Sequence, residues 1–528
     1  MTYNVLITDP LSEAGLQPLR ESAHLNVKVA TNLTTDQLLQ EIETAHALLV
    51  RSQTKVTREV IERGKQLKVI GRAGVGVDNI DLEAATERGI IVVNAPNGNI
   101  NSAAEHTIAM LMSLARKIPQ AYNSLKNGEW NRSAYVGVEV KGKTLGVIGL
   151  GRIGTEVAYR AKGQRMEVIG YDPFFTEEKA EAMGIGFGTI EEVLQEADFV
   201  TVHTPLMDET YHLIDKQALK LMKKSAYIIN CARGGIVDED ALYEAIVNGE
   251  IAGAALDVFE NEPITEHPLL TLEQVIATPH LGGSTIEAQE NVAIDVSKDV
   301  VGILSGKLAK HPVNIPSLPM DVLQRIEPYF SLAEKLGSFL ATLTTEFVKE
   351  IHISYAGVLN DIETAPITRS VIKGLLRNHL GERINNINAA YIAKQRDIDI
   401  HEHKTAKSNG FTNLLTVEAK LADKTYRIAG TLSKEFGPRI VEINHYMTDV
   451  IPEGHFLFIN HKDQPGAIGH VGTLLAEENI NIALMQVARK EEGGDAMMIL
   501  NIDKPLSEKA KEKLLDIHDV YRVTEIDL

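Results

Sequence analysis

The sequence contains one cysteine and one tryptophan in 528 residues. A single cysteine excludes an intramolecular disulfide framework and suits a reducing compartment. Basic residues are in deficit: 53 Lys and Arg against 72 Asp and Glu give a formal net charge of −19. A polyanionic partner such as nucleic acid is therefore not expected, although a local basic site for one phosphate is compatible with this balance. No uncharged apolar stretch is long enough to span a bilayer. Met1-Thr2-Tyr3-Asn4-Val5-Leu6-Ile7 runs directly into a strand-like segment, without a basic region or a cleavable apolar segment. These absences lead to the expectation of a soluble cytoplasmic protein without a membrane partner. What is present is ordinary globular composition, 44% hydrophobic and 24% charged, in a chain long enough for about three or four domains.

Against that background one segment stands out. Gly149-Leu150-Gly151-Arg152-Ile153-Gly154 follows the apolar run Thr144 to Ile148 and precedes a helical pattern over 155–162 and a second apolar run, 166–171, that ends at Asp172. A lone G-x-G-x-x-G is weak, but strand, glycine turn, helix, strand and acid together form a dinucleotide fingerprint. The glycines allow a tight turn and a close approach to a pyrophosphate, whose charge meets the free N–H groups at the helix start. Asp172 would accept hydrogen bonds from the adenosine ribose and repel a 2′-phosphate, so NAD is expected rather than NADP.

Short apolar runs recur on both sides of the fingerprint. Before it lie 5–7, 47–50, 69–70 and 90–93; after it lie 199–202, 227–230, 252–258 and 275–277. Polar or glycine-rich residues follow each run, as expected of parallel α/β sheets with ligand groups at strand C-termini. Ser102-Ala103-Ala104-Glu105 has capping-box spacing at the head of an apolar helix. A helix over 284–305 leads to Pro312, Pro316 and Pro319, and is expected to return onto the first sheet. The segment from 320 to 452 carries no catalytic motif; a helix over 322–345 and strands over 350–355 and 414–420 are expected there. From 456 onward the pattern is βαββαβ, a ferredoxin-like module. The expected division is 1–99 with 284–315, 100–283, 316–452 and 453–528. The fold class is α/β: two Rossmann-like or flavodoxin-like parallel-sheet domains, an α+β intervening domain and the βαββαβ module.

Hydride transfer from a hydroxy acid needs a cation for the carboxylate, an acid/base for the hydroxyl proton, and a partner that orients the base. Three residues after strands fit. Arg233, flanked by small residues, offers a planar fork for a carboxylate and the C2 oxygen. His280 is the acid/base candidate, since imidazole exchanges protons near neutrality. Glu262, ahead of Pro263, would favour the imidazolium and fix its tautomer. No metal-ligand set is assigned.

The fingerprint with Asp172, the stretch Asn230 to Asp238, the stretch Asp257 to Pro263 and the stretch Pro279 to Thr285 together resemble the D-2-hydroxyacid dehydrogenases. Within that family, the stretches Gly71 to Asn79 and Pro96 to Asn99 resemble the members that act on 3-phospho-D-glycerate. The terminal module is similar to the ACT domain that senses L-serine there, and 320–452 is similar to the extra domain of their long form. The resemblance implies that Arg233, Glu262 and His280 are catalytic. It implies that Gly149, Gly151, Arg152, Ile153 and Gly154 hold the pyrophosphate, and Asp172 the ribose. It further implies that His203, Thr204 and Pro205 line the adenine side, and Cys231, Ala232 and Asp257 the nicotinamide. Arg51, Ser52, Arg72, Gly74 and Asn99 are expected in the substrate cleft, with Arg132, near Trp130, reaching a neighbouring subunit's phosphate. His461, Asp463 and Asn481 are the implied effector residues, the loop holding Asp463 meeting the strand start at Asn481 along one edge. The implied cofactor is NAD, the substrate 3-phosphoglycerate, the effector L-serine, and the assembly a homodimer or homotetramer. Two alternatives stay open: another dehydrogenase of the family, such as a glyoxylate or hydroxypyruvate reductase, and a NAD-sensing binding protein on the same scaffold.

Overall fold

A computed structural model describes residues 2–344, 348–421 and 423–528. The first sheet comprises β1 (Tyr3–Ile7), β2 (Leu25–Val29), β3 (Ala47–Val50), β4 (Val69–Arg72) and β5 (Ile91–Asn94), in the order β2-β1-β3-β4-β5. Every pairing is parallel. The central strand β3 is wholly buried and its neighbours nearly so, which is why they appear in the sequence as unbroken apolar runs rather than as alternation.

The second sheet holds β6 (Thr144–Ile148), β7 (Glu167–Tyr171), β8 (Gly186–Phe187), β9 (Phe199–Val202), β10 (Tyr227–Asn230), β11 (Gly253–Leu256) and β12 (Val275–Ala277). It is also parallel, in the order β12-β11-β10-β9-β6-β7-β8. The order reverses at β6, and the fingerprint follows β6 directly; a topological switch point of this kind leaves a crevice beyond the strand ends.

Helix Ile286–Leu304 returns to the first sheet. Glycines permit that approach: a Cβ on Gly71 would lie 2.6 Å from Val296, and one on Gly15 2.3 Å from Ala293. The chain beyond it stays with β5, where Val313 N–H donates to the Val92 carbonyl at 2.8 Å.

The third sheet contains β13 (Glu350–Gly357), β14 (Asp399–Thr405), β15 (Asn413–Lys420), β16 (Thr425–Ser433), β17 (Gly437–Ile443) and β18 (Tyr446–Val450), ordered β14-β13-β15-β16-β17-β18. Only β13 and β14 pair in parallel. Helices Pro328–Leu343 and Ala365–Leu380 cover it. The helix expected from residue 322 is two helices, Met320–Ile326 and Pro328–Leu343, and Thr345 lies outside the described residues. This domain rests on the first through Asn385, whose Nδ2 donates to the Gly89 carbonyl at 2.8 Å, and through Tyr391 Oη, 3.1 Å from Glu83.

The last sheet is β19 (His455–Lys462), β20 (Ile482–Arg489), β21 (Asp495–Ile502) and β22 (Val520–Asp527), antiparallel in the order β20-β21-β19-β22. One face carries helices Ala467–Glu477 and Glu508–Leu515. The other packs into the core of the third sheet, where the Phe339 and Phe458 rings meet edge to face at 4.8 Å. Among the described residues, no helix is long and apolar enough to cross a membrane.

Candidate active site

The fingerprint turn has the shape that a pyrophosphate needs. Gly149 has φ +98°, a left-handed conformation that favours glycine. A Cβ on Gly154 would sit 1.9 Å from the Gly149 carbonyl oxygen, so this glycine allows helix Arg152–Gly163 to close on the turn. A Cβ on Gly151 would meet nothing within 4 Å, and no side chain caps the helix there. The exposed N-terminus is therefore an open anion cradle. Arg152 is exposed on its first turn, whereas Ile153 packs towards the core.

Asp172 follows β7, and its carboxylate accepts from Leu150 N–H at 2.9 Å and from Phe174 N–H at 2.8 Å, which fixes it beside the turn. Across the switch point, the His203 ring bonds Thr201 Oγ1 at 3.0 Å, and burial pushes its pKa down to about 4, so the ring is neutral. Thr204 Oγ1 is buried without a partner, and Pro205 beyond it is exposed. These features fit a dinucleotide.

On the neighbouring strand ends lies the second half of the crevice. Asn230, at the end of β10, donates to the Arg233 carbonyl at 2.8 Å and accepts from Ala232 N–H at 3.1 Å, clamping the 231–233 turn. Cys231 is buried, and burial pushes its thiol up to about 12, which keeps it protonated and unreactive. Asp257 is wholly buried after β11. It accepts from Thr278 Oγ1 at 2.6 Å, Leu281 N–H at 2.7 Å and Gly282 N–H at 2.8 Å, with His106 Nε2 at 3.2 Å. Burial alone would raise its pKa, but these bonds outweigh it and hold the group below the usual carboxylate range. Asp257 therefore anchors the loop that carries His280.

His280 Nδ1 lies 2.7 Å from Glu262 Oε2. A carboxylate can only accept, so the ring proton sits on Nδ1 and Nε2 carries the lone pair. Burial pushes the Glu262 carboxyl up, but the bonds from His280 and from Phe259 N–H, the latter at 3.0 Å, hold it below its ordinary value. Both side chains open to solvent, at 48% and 36% exposure, so the pair can reach a ligand. His280 has φ +56°, a strained conformation for a non-glycine residue, stabilised by its N–H bonds to the Asp257 and Thr278 carbonyls.

Arg233 reaches from the second sheet to the first. Its Nε lies 3.2 Å from Asp78 Oδ2, and its Nη1 donates to the Ala232 carbonyl at 2.7 Å. The Arg233 and Arg72 guanidinium groups occupy space that glycines leave: a Cβ on Gly76 would fall 2.0 Å from Arg233 Nη2, and one on Gly74 1.5 Å from Arg72 Nη1. Burial, then the nearby Arg233 and Arg51 charges, lower the Arg72 pKa to about 10, although Asp78 and Asp9 act against them. Arg72 Nε is buried without a partner, as is Asn99 Oδ1. Cations are concentrated here and incompletely neutralised, which is the electrostatics of an anion site. The Arg51 turn is shaped by Asp9, which accepts from Arg51 N–H at 2.6 Å, and by Asn79 Nδ2, which donates to the Arg51 carbonyl at 2.8 Å; Ser52 lies exposed on it.

Three expectations are corrected here. Ser102 does not cap helix Ile100–Ala115; it is buried within it, and its Oγ donates to the Gly282 carbonyl at 2.8 Å, steadying the His280 loop. His461 is not a loop residue but lies in β19, 2% exposed, with Nδ1 2.7 Å from the Lys462 carbonyl. Asp463 and Asn481 do not meet within one chain. The register pairs Lys462 with Asp495 but Ile482 with Ile502, so the two residues occupy opposite ends of the sheet. Asp463 instead accepts from Arg489 at 2.8 Å and from Gly493 N–H at 3.2 Å, which hold its pKa below its ordinary value. Arg132 also stands apart, exposed in a short turn beside Trp130.

The comparisons with known proteins agree with this layout. Residues 108–282 match the D-isomer specific 2-hydroxyacid dehydrogenase NAD binding domain, 325–444 the D-3-phosphoglycerate dehydrogenase intervening domain, and 455–519 the ACT domain. The D-3-phosphoglycerate dehydrogenase of Bacillus subtilis is 47% identical over 526 residues, covering 100% of both chains. The chain belongs to the D-3-phosphoglycerate dehydrogenase family. The enzyme of that name from Methanocaldococcus jannaschii is also 47% identical, over 99% of both chains. The D-lactate dehydrogenase of Aquifex aeolicus, solved with NAD and lactic acid, is 30% identical with a TM-score of 0.54, covering 60% of this chain and 100% of its own. The chain is thus a NAD-dependent oxidoreductase with a regulatory-type terminal domain.

Sequence reasoning did not assign Asp78, Asn230, Asp9 or His106. Asp78 and Asn230 stand inside quoted stretches, and an acid facing a predicted arginine cluster was the available signal. Asp9 and His106 act through partners distant in sequence and left none.

Proposed function

We propose that the chain oxidises 3-phospho-D-glycerate to 3-phosphooxypyruvate, the first step towards L-serine. The carrying observations are the cluster of Arg72, Arg233 and Arg51 charges and the hydrogen-bonded His280–Glu262 pair. A small hydroxy acid needs one cation for its carboxylate; further cations suit a substrate that also carries a phosphate.

In this reading Arg233 leaves Asp78 and takes the substrate carboxylate and C2 oxygen through its fork. His280 Nε2 accepts the C2 hydroxyl proton, and Glu262 stabilises the resulting imidazolium from the Nδ1 side. Arg233 then stabilises the charge that develops on the C2 oxygen. The 149–154 turn and Asp172 would hold NAD, which would supply the hydride acceptor. Ala232 and the wall formed by Cys231 and Asp257 would line its reactive end, and His203, Thr204 and Pro205 its adenine end. Arg51, Ser52, Arg72, Asn99 and the space left by Gly74 form the phosphate side. Closure of the two sheets excludes water.

We further propose a cytoplasmic homo-oligomer, dimer or tetramer, regulated by L-serine. Ile118, Tyr122, Leu125, Trp130 and Val136 are all more than half exposed on one stretch, a surface that a second copy would cover, and Arg132 lies on it. Antiparallel pairing of two copies along the edge strand β20 would bring the Asn481 end of one terminal module against the Asp463 end of the other, forming an effector site between copies.

The experiment is NADH formation on adding 3-phosphoglycerate, with a trap for the product, against D-glycerate as the phosphate-free control. The proposal expects turnover with the former and a far lower kcat/KM with the latter. Equal use of both, or preference for glycerate, would favour a reductase of the same family; no turnover with tight NAD binding would favour a sensor.

A further inference from the structure

The solvent face of the third sheet, separate from the two sheets that bear the cleft, carries an imidazole cluster. Strand β14 is an edge strand paired only with β13, and the register sets His352 beside His401 and Ser354 beside His403. Ile351, Ile353 and Tyr355 point into the core, so Glu350 and His352 share the outer face. The His352 ring stacks on His401 at 4.7 Å and on His403 at 5.3 Å.

The donor atoms converge. His352 Nε2 lies 2.6 Å and His401 Nε2 3.4 Å from Glu350 Oε1. One ligand atom from each of Glu350, His352 and His401 falls within 4.8 Å of the others. Tetrahedral coordination at zinc distances needs ligand atoms about 3.3 Å apart, within reach of small side-chain adjustments. The fourth group supplies orientation: His352 Nδ1 is 3.0 Å from His403 Nε2. Without an ion, His352 Nε2–H donates to the Glu350 carboxylate; an ion that displaces this proton takes the Nε2 lone pair, and the proton then carried on Nδ1 is donated to His403, the usual arrangement in which a second residue fixes the tautomer of a ligating histidine. Lys420 Nζ, 3.2 Å from Glu350 Oε1, is a competing charge at that carboxylate, and its 39% exposed side chain can swing into solvent on its flexible stem.

We propose that Glu350, His352 and His401 bind one divalent ion of the zinc type, with a fourth position open to water and His403 orienting His352. Two imidazoles and one carboxylate favour Zn2+, Co2+ or Ni2+ over Mg2+ or Ca2+. Bound there, the ion clips the edge strand to its neighbour. Strand β14 in turn carries Glu402, which bonds Thr368 and Thr364 at the covering helix.

The test uses untagged full-length protein freed of metal by a chelator and titrated with Co2+, followed by visible absorption and equilibrium dialysis. The expected result is one equivalent of Co2+ per chain with micromolar affinity and a tetrahedral or five-coordinate d–d band. His401→Ala and Glu350→Gln should each weaken binding by about 10-fold or more, His403→Ala by less, with NAD-dependent turnover unchanged. Zn2+ should raise the Tm of the wild-type chain but not of the His352→Ala/His401→Ala double variant. Binding no tighter than millimolar would overturn the proposal. So would the same stoichiometry and affinity in the double variant.

Discussion

Arg233 and Asp78 join the two parallel sheets across the cleft, Nε to Oδ2 at 3.2 Å. In the proposed reaction the substrate carboxylate would compete with Asp78 for the same guanidinium. Asp78→Asn removes a competing anion, so the KM for 3-phosphoglycerate should fall by about two- to fivefold with kcat not raised, while Arg233→Lys loses the planar fork and about 10²-fold in kcat/KM. Steady-state kinetics on both variants check this; an Arg233→Lys enzyme with wild-type kcat/KM places the carboxylate elsewhere.

The pH profile tests the His280–Glu262 pair. Glu262 sits below its ordinary pKa because it accepts from His280, so it remains an anion as pH falls and favours the imidazolium. Glu262→Gln removes that anion, so the acidic limb of kcat/KM for oxidation should move downward. Turnover at the optimum should fall by no more than about 10²-fold. An unmoved limb would make the pair purely structural.

Cofactor choice should rest on Asp172. Asp172→Ala removes an acceptor for the ribose and the repulsion of a 2′-phosphate, so the NAD to NADP ratio of kcat/KM should drop by about 10-fold or more. Because Asp172 also accepts from Leu150 and Phe174 N–H, a small loss of Tm should accompany it. An unchanged ratio would remove Asp172 from cofactor discrimination.

Regulation is predicted to depend on both ends of β20. Asp463→Ala and Asn481→Ala should each desensitise the enzyme to L-serine, with uninhibited kcat within about twofold, since an effector site acts through its coupling free energy. Dose–response curves decide it: indifference of the wild-type enzyme to millimolar serine contradicts the assignment, as does full sensitivity of both variants.

How far the sequence carried depended on burial and on distance along the chain. Buried parallel strands such as β3, β6 and β9 show as apolar runs and were placed to within a residue. Two edge strands lack that signal: β2 (LNVKV) and β14 (DIHEHKT) face solvent and were not predicted. Arg233, His280 and Glu262 were accessible because each follows a strand end on the cofactor edge. Residues that shape loops from afar were not: Asp78 meets Arg233 155 positions away, and Ser102 meets Gly282 180 positions away. His352 and His401 stayed hidden for the same reason, since only the β13–β14 register brings them together. The opposite placement of Asp463 and Asn481 also depends on register, which a βαββαβ pattern alone does not specify.

The central claim is that His280 moves the proton, and His280→Asn tests it most directly. Side by side, NAD affinity by fluorescence titration and kcat for 3-phosphoglycerate oxidation at neutral pH should show NAD binding within about twofold of wild type and kcat lower by about 10²-fold or more. Wild-type turnover in the variant would contradict it.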